Sequence, residues 1–151
     1  MIYLRPIWLR SNEINEFNKN LPIEYQYLKD KITIEDLPSG MRWVHINDEQ
    51  IATVDCGFQV RAGSYDEVRP RLQTYDGTAH LLEHSVFLDQ TPQERQMYTY
   101  WNAFTEDQQT QYHFSTTPAN AIEAFKVSFR SLFNFKENPK SHDEINAVQS
   151  E

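Results

Sequence analysis

The chain has 151 residues, of which 39% are hydrophobic and 24% charged; that suffices for one domain with a core and is too little for two ordinary ones. Fourteen Lys and Arg against 22 Asp and Glu leave a net charge of −8, which argues against a nucleic-acid binder, since counterion release needs a surplus of cations. The single cysteine, Cys56, rules out an internal disulfide, and no apolar run approaches the ~18 residues of a membrane helix.

Residues 1–31 read as an N-terminal arm. Met1 to Asn12 carry Arg5 and Arg10 without an acid, as transit peptides do, but the stretch is short, contains Pro6 and is not serine-rich. An ordered arm is the expectation there, with a break at Leu21-Pro22. Residues 32–151 read as one domain. Ile32, Ile34 and Leu37 form a strand that runs into the turn cluster Pro38-Ser39-Gly40, and Met41 to Ile46 form the next. Ile51 to Ala62 make a third, alternating through Val54, Cys56, Phe58 and Val60, with Cys56 as a small core residue. Gly63 to Gly77 read as a polar loop and Thr78 to Leu88 as a helix. Thr91, Pro92 and Glu94 spell a capping box with proline at the first helical position. Asn102 to Thr105 and Thr110 to Ser115 form a hairpin around Glu106 to Gln109. Thr117-Pro118 open a long helix whose stripe Ile122, Phe125, Phe129, Leu132 and Phe133 is expected to be core. Asn138-Pro139 end it, and Ser141 to Glu144 spell a second capping box before a last helix. The order predicts an α+β fold, an antiparallel or mixed sheet with helices packed on one face.

The chemistry concentrates in His80-Leu81-Leu82-Glu83-His84. Residues four apart share a helix face, so His80 and His84 can grip one metal ion. Glu83 lies beside that face, placed to take a proton from water without itself being a ligand. Imidazole suits zinc, and catalytic zinc takes three protein ligands. This is the inverted zincin order. His45, His113 and His142 read as packed or surface histidines.

The segment Asp76 to Phe87 resembles the active-site segment of the pitrilysin/insulinase-type metallopeptidases, and its Gly77-Thr78-Ala79-His80 opening is similar to the mitochondrial processing peptidase branch. Arg61-Ala62-Gly63-Ser64 resembles the family's strand end before the zinc helix. Asn102-Ala103-Phe104-Thr105 with Thr110-Gln111-Tyr112 resembles its substrate-strand hairpin, and Glu144 to Glu151 the segment of the third ligand. The segment between Phe87 and Asn102 is shorter than the family's, and Tyr100-Trp101 stand where a glycine is usual. The resemblance implies one zinc ion held by His80, His84 and Glu151, with Glu83 as general base. It implies that Glu144 orients a ligand histidine; its capping-box role is the local alternative, and both readings stay open. Asn102, Ala103, Phe104 and Thr105 would offer a strand edge to an extended peptide such as a presequence.

Family members are far longer and close two homologous halves or subunits around the substrate. The chain is therefore expected to be the N-terminal part of a zinc metalloendopeptidase with a second half or subunit as partner, and the mitochondrial matrix as its compartment. A non-proteolytic core subunit of a respiratory or processing complex is the alternative implied by the same resemblance.

Overall fold

The turn at Pro38-Ser39-Gly40 joins two antiparallel strands, β1 (Ile32–Asp36) and β2 (Arg42–Ile46), with Ile34 opposite Val44. Arg42 grips Asp36 across the hairpin, Nε to Oδ1 at 2.6 Å and Nη2 to Oδ2 at 3.0 Å. A short 3₁₀ helix, Ile23–Leu28, precedes them, and Tyr27 Oη donates to Asp48 Oδ2 at 3.0 Å. The computed structural model describes residues 22–29, 31–67, 76–136 and 138–148. The chain divides into two compact units, one up to Ile51 and one from Ala52. Residues 1–21 of the expected arm lie outside the described residues, as does Glu151.

The second unit is built on three antiparallel strands, β3 (Val54–Val60), β4 (Tyr98–Thr105) and β5 (Thr110–Thr116), in the order β3-β5-β4. Phe58 and Ala103 flank Tyr112 in register. Alternation along β5 therefore sends Thr110, Tyr112, Phe114 and Thr116 to one buried face. Among the described residues five helices accompany the sheet: α1 (Ser64–Glu67), α2 (Thr78–Ser85), α3 (Pro92–Arg95), α4 (Ala121–Phe133) and α5 (Ser141–Val148). Both α2 and α4 cover the buried face. Phe87, just past α2, meets Tyr112 at a ring distance of 5.8 Å, and Phe125 of α4 meets Phe58 at 5.2 Å. The fold is thus α+β with antiparallel sheets, as expected. Cys56 is half-buried, and burial, with the charge of Asp55 as a lesser cause, pushes its thiol up to about 11.

Several boundaries differ from the sequence reading. β4 begins at Tyr98, four residues before the expected Asn102. A helical turn, α1, interrupts the loop expected over 63–77. The long helix starts at Ala121 rather than at Thr117-Pro118, which form the turn before it.

The stripe of α4 is only partly core: Leu132 packs against the buried cluster of Val86, Phe87 and Tyr112, and Phe125 is half-buried on Phe58, but the other three positions are exposed. Ile122 is 72% exposed and Phe133 49%, and Phe129 is also exposed. The buried face is Ala124, Val127, Ser128 and Ser131. The cause is a polar cluster: Tyr98 Oη lies 3.0 Å from Ser128 Oγ, and Gln90 Nε2 donates to Tyr98 Oη and Ser131 Oγ, both at 3.3 Å. Small side chains let the helix approach these groups closely, and buried polar atoms need such partners. The larger rings then lie to one side along Phe58, with Phe129 and Phe133 4.4 Å apart.

The first capping box forms as read. Thr91 N donates to Glu94 Oε2 at 2.8 Å and Glu94 N to Thr91 Oγ1 at 3.2 Å. Arg130 of α4 adds an ion pair, Nη1 to Glu94 Oε1 at 2.9 Å. The Arg130 guanidinium, with the Thr91 amide, holds the Glu94 carboxyl at about 2 against an ordinary 4.5. A folded-state value below the unfolded one gives stability that is complete above the unfolded pKa and lost as pH falls through the folded one. Melting temperature is therefore expected to fall between pH ~4.5 and ~2. A Glu94→Gln variant should show a shallower acid decline; an identical profile would remove Glu94 as a cause.

The second capping box does not form. Ser141 is the first helical residue of α5, and its buried hydroxyl has no hydrogen-bond partner. Asn138 serves the start of the helix instead, its Oδ1 accepting from Lys140 N at 3.0 Å. Glu144 is engaged elsewhere.

Candidate active site

The eight residues of α2 carry the two histidines one turn apart on the same face. Their Nε2 atoms face each other at 3.2 Å, with the rings nearly perpendicular at 77°. The other nitrogen of His84, Nδ1, lies 3.0 Å from Glu144 Oε2 on α5. That contact explains why Glu144 does not close the box with Ser141: a partly buried imidazole 60 residues away takes its carboxylate.

Glu83 turns inward from the same helix and is 7% exposed. Its Oε2 accepts from Thr105 Oγ1 at 3.0 Å and stands 3.9 Å from His80 Nε2. Thr105 Oγ1 is also 3.5 Å from Thr110 Oγ1, which donates to the Ala62 carbonyl at 2.9 Å. Beneath lies Tyr112, whose phenol is pushed well above its ordinary value by burial, with the charge of Glu83 adding to it. The carboxylate therefore sits against a neutral, largely apolar floor.

The four strand residues singled out in the sequence all fall on β4. Among the described residues β4 pairs only with β5, so its other side is an edge. Asn102 lies opposite His113 and Phe104 opposite Gln111 on the sheet face away from the helices, whereas Ala103 and Thr105 belong to the face that meets α2. His113 packs between Tyr100 and Phe104 at ring distances of 5.5 and 6.0 Å, and burial lowers its pKa. His45 is exposed on β2.

The profile of the insulinase family, peptidase family M16, matches residues 42–151. The chain belongs to this family. No curated protein matches it. Among solved structures, a protein from Alicyclobacillus acidocaldarius described as an M16-like peptidase superposes with a TM-score of 0.63 at 20% identity, over 78% of the present chain. The chain spans 29% of that protein's length, and the likeness shows the fold.

Within this M16 chain, no group of three His, Cys, Asp or Glu side chains suited to a metal ion gathers among the described residues. Glu151, the expected third ligand, lies outside them. The two histidines can be tested alone. Two nitrogens bound at ~2.05 Å to a tetrahedral ion stand about 3.3 Å apart, and the observed 3.2 Å fits that span. Two contacts were not legible in the sequence. Thr105 contributes its hydroxyl to Glu83 as well as its place in the strand. Glu67, inside the presumed loop, accepts from the Gly77 and Ala79 amides at the start of α2.

Proposed function

We propose that the chain carries the zinc-binding part of a metalloendopeptidase that cleaves extended peptides. The observation behind this is the facing pair of imidazole nitrogens with a buried carboxylate beside them. His80 and His84 would hold the ion, with Glu151 as third ligand. The ion would supply Lewis acidity, lowering the pKa of water and polarising the scissile carbonyl.

Each remaining role falls to the chain itself. Glu144, at Nδ1 of His84, orients that ring and directs Nε2 toward that of His80. Glu83 takes the proton of the attacking water and passes it to the leaving amine. Thr105 fixes the carboxylate by donating to Oε2, the oxygen that stands 3.9 Å from His80 Nε2. The edge of β4 pairs with substrate backbone, giving affinity with little sequence demand. A second homologous half or subunit would close over that strand. The acidic net charge of −8 would steer a basic peptide such as a presequence, which agrees with a matrix location.

The test is zinc per chain by elemental analysis after exhaustive dialysis, with His80→Ala as control. About one retained ion, lost in the control, is the expected result. A folded wild-type chain without zinc would sink the proposal in favour of a non-proteolytic scaffold of the same fold.

A further inference from the structure

Gly77 occupies the N-cap of α2 at φ +85°, a conformation that suits glycine, and glycine offers no side chain to cap the helix. Two amides of that turn are nevertheless satisfied. Gly77 N donates to Glu67 Oε2 at 2.8 Å and Ala79 N donates to Glu67 Oε1. One carboxylate from α1 closes the first turn of α2 from outside. A negative charge there also interacts favourably with the helix dipole.

His80 is the third residue of α2 and belongs to that first turn, whereas His84 lies in the second turn and is tied through Glu144. The two imidazoles therefore have separate anchors. Glu67 is itself fixed, because α1 is stitched to the β4–β5 turn: Ser64 N donates to the Glu106 carbonyl at 3.1 Å and Tyr65 N to that of Asp107 at 2.8 Å. Asp66 adds a further tie, its Oδ2 accepting from Gly63 N at 3.1 Å.

We propose that Glu67 is the positioning residue for His80: by closing the first turn of α2 it keeps Nε2 of His80 facing Nε2 of His84 and so sets the affinity for zinc. The affinity part rests on the zinc reading above. Without the carboxylate the first turn frays, and His80 swings away while His84 stays in place. Glu67 touches neither ion nor substrate in this account and acts only through the helix start.

The test compares wild type, Glu67→Ala, Glu67→Gln and Thr91→Ala. Thr91→Ala removes a cap of comparable kind from α3 and so measures a merely structural loss. Zinc affinity is read by competition with a chromophoric chelator, and amide hydrogen exchange is read on the metal-free protein. Glu67→Ala is expected to weaken zinc binding about 5- to 30-fold, as loss of a helix cap and of a supporting partner implies, and to speed exchange at Gly77 and Ala79. Glu67→Gln, which keeps one acceptor oxygen, should fall between. Thr91→Ala should lower the melting temperature yet leave zinc affinity within about twofold of wild type.

Unchanged exchange at Gly77 and Ala79 in Glu67→Ala would overturn the proposal, whatever the zinc result. Equal zinc losses in Glu67→Ala and Thr91→Ala would overturn it too. A folded wild type that binds no zinc would defeat the peptidase reading, while faster exchange confined to the first turn would still uphold Glu67 as the anchor of His80.

Discussion

Replacing Glu83 with glutamine is expected to cut peptide hydrolysis by about 10²- to 10⁴-fold, the span for loss of a general base, with zinc content unchanged. The substitution is nearly isosteric. An amide oxygen can still accept from Thr105 Oγ1, so the contact seen at 3.0 Å survives. The site is buried, with Glu83 7% exposed, so shape matters and an alanine would leave a cavity. What glutamine cannot do is take a proton from water. The fall should therefore appear in kcat, measured with an unfolded fluorogenic peptide, while elemental analysis shows the wild-type metal load. Turnover within tenfold of wild type would remove Glu83 as the base. Loss of zinc alongside activity would leave the base role without support, because the metal defect alone would explain it.

Part of this site was legible in the sequence from helix geometry alone. His80 and His84 are one turn apart in any helix, and Glu83 adjoins them. The Thr91–Glu94 box was legible for the same reason, since its bonds span three residues. Ser141 and Glu144 have the same spacing, yet no box forms there. Glu144 bonds to His84 across 60 residues of sequence, and a carboxylate bond to a partly buried ring outweighs the local cap. Local spacing cannot reveal that competition.

The stripe of α4 shows a second limit. Its period told that the segment is a helix with an apolar side, and a helix formed. The period did not tell which side lies nearest the sheet. That was decided by Tyr98 and Gln90, which need hydroxyl partners and find them in Ser128 and Ser131. Glu67 was hidden differently. It stands ten residues before Gly77 in a stretch without periodicity, and only the backbone contacts of Ser64 and Tyr65 bring it to the helix start. Propensity carries no signal for such a cap.

Those backbone contacts make Gly63→Ala the substitution with the largest expected effect on stability. A Cβ on Gly63 would overlap the Glu106 carbonyl oxygen and stand 2.6 Å from Gln109 N and 2.7 Å from the Asp107 carbonyl carbon. All three obstacles are backbone, so no side-chain rotation relieves them. The turn is also held from within, since Glu106 N donates to the Gln109 carbonyl at 2.8 Å. Either the β4–β5 turn or α1 must move. Overpacking costs about 1–3 kcal/mol where side chains can adjust, and a rigid backbone puts this case at or above the upper figure. At roughly 4–8 °C per kcal/mol for a domain near 100 residues, a fall of about 12 °C or more in melting temperature is expected. Gly57→Ala is the control: its Cβ would meet the Tyr112 carbonyl oxygen at 3.5 Å, an ordinary contact, and should change stability by less than about 1 kcal/mol. A Gly63→Ala protein melting within about 4 °C of wild type, the range allowed to the control, would show that the turn yields easily. The stitched path from the β4–β5 turn through α1 to Glu67 would then be too soft to hold the start of α2. If the large fall is found, the close approach at Gly63 is what places α1, and the carboxylate capping His80's turn depends on a residue with no side chain of its own.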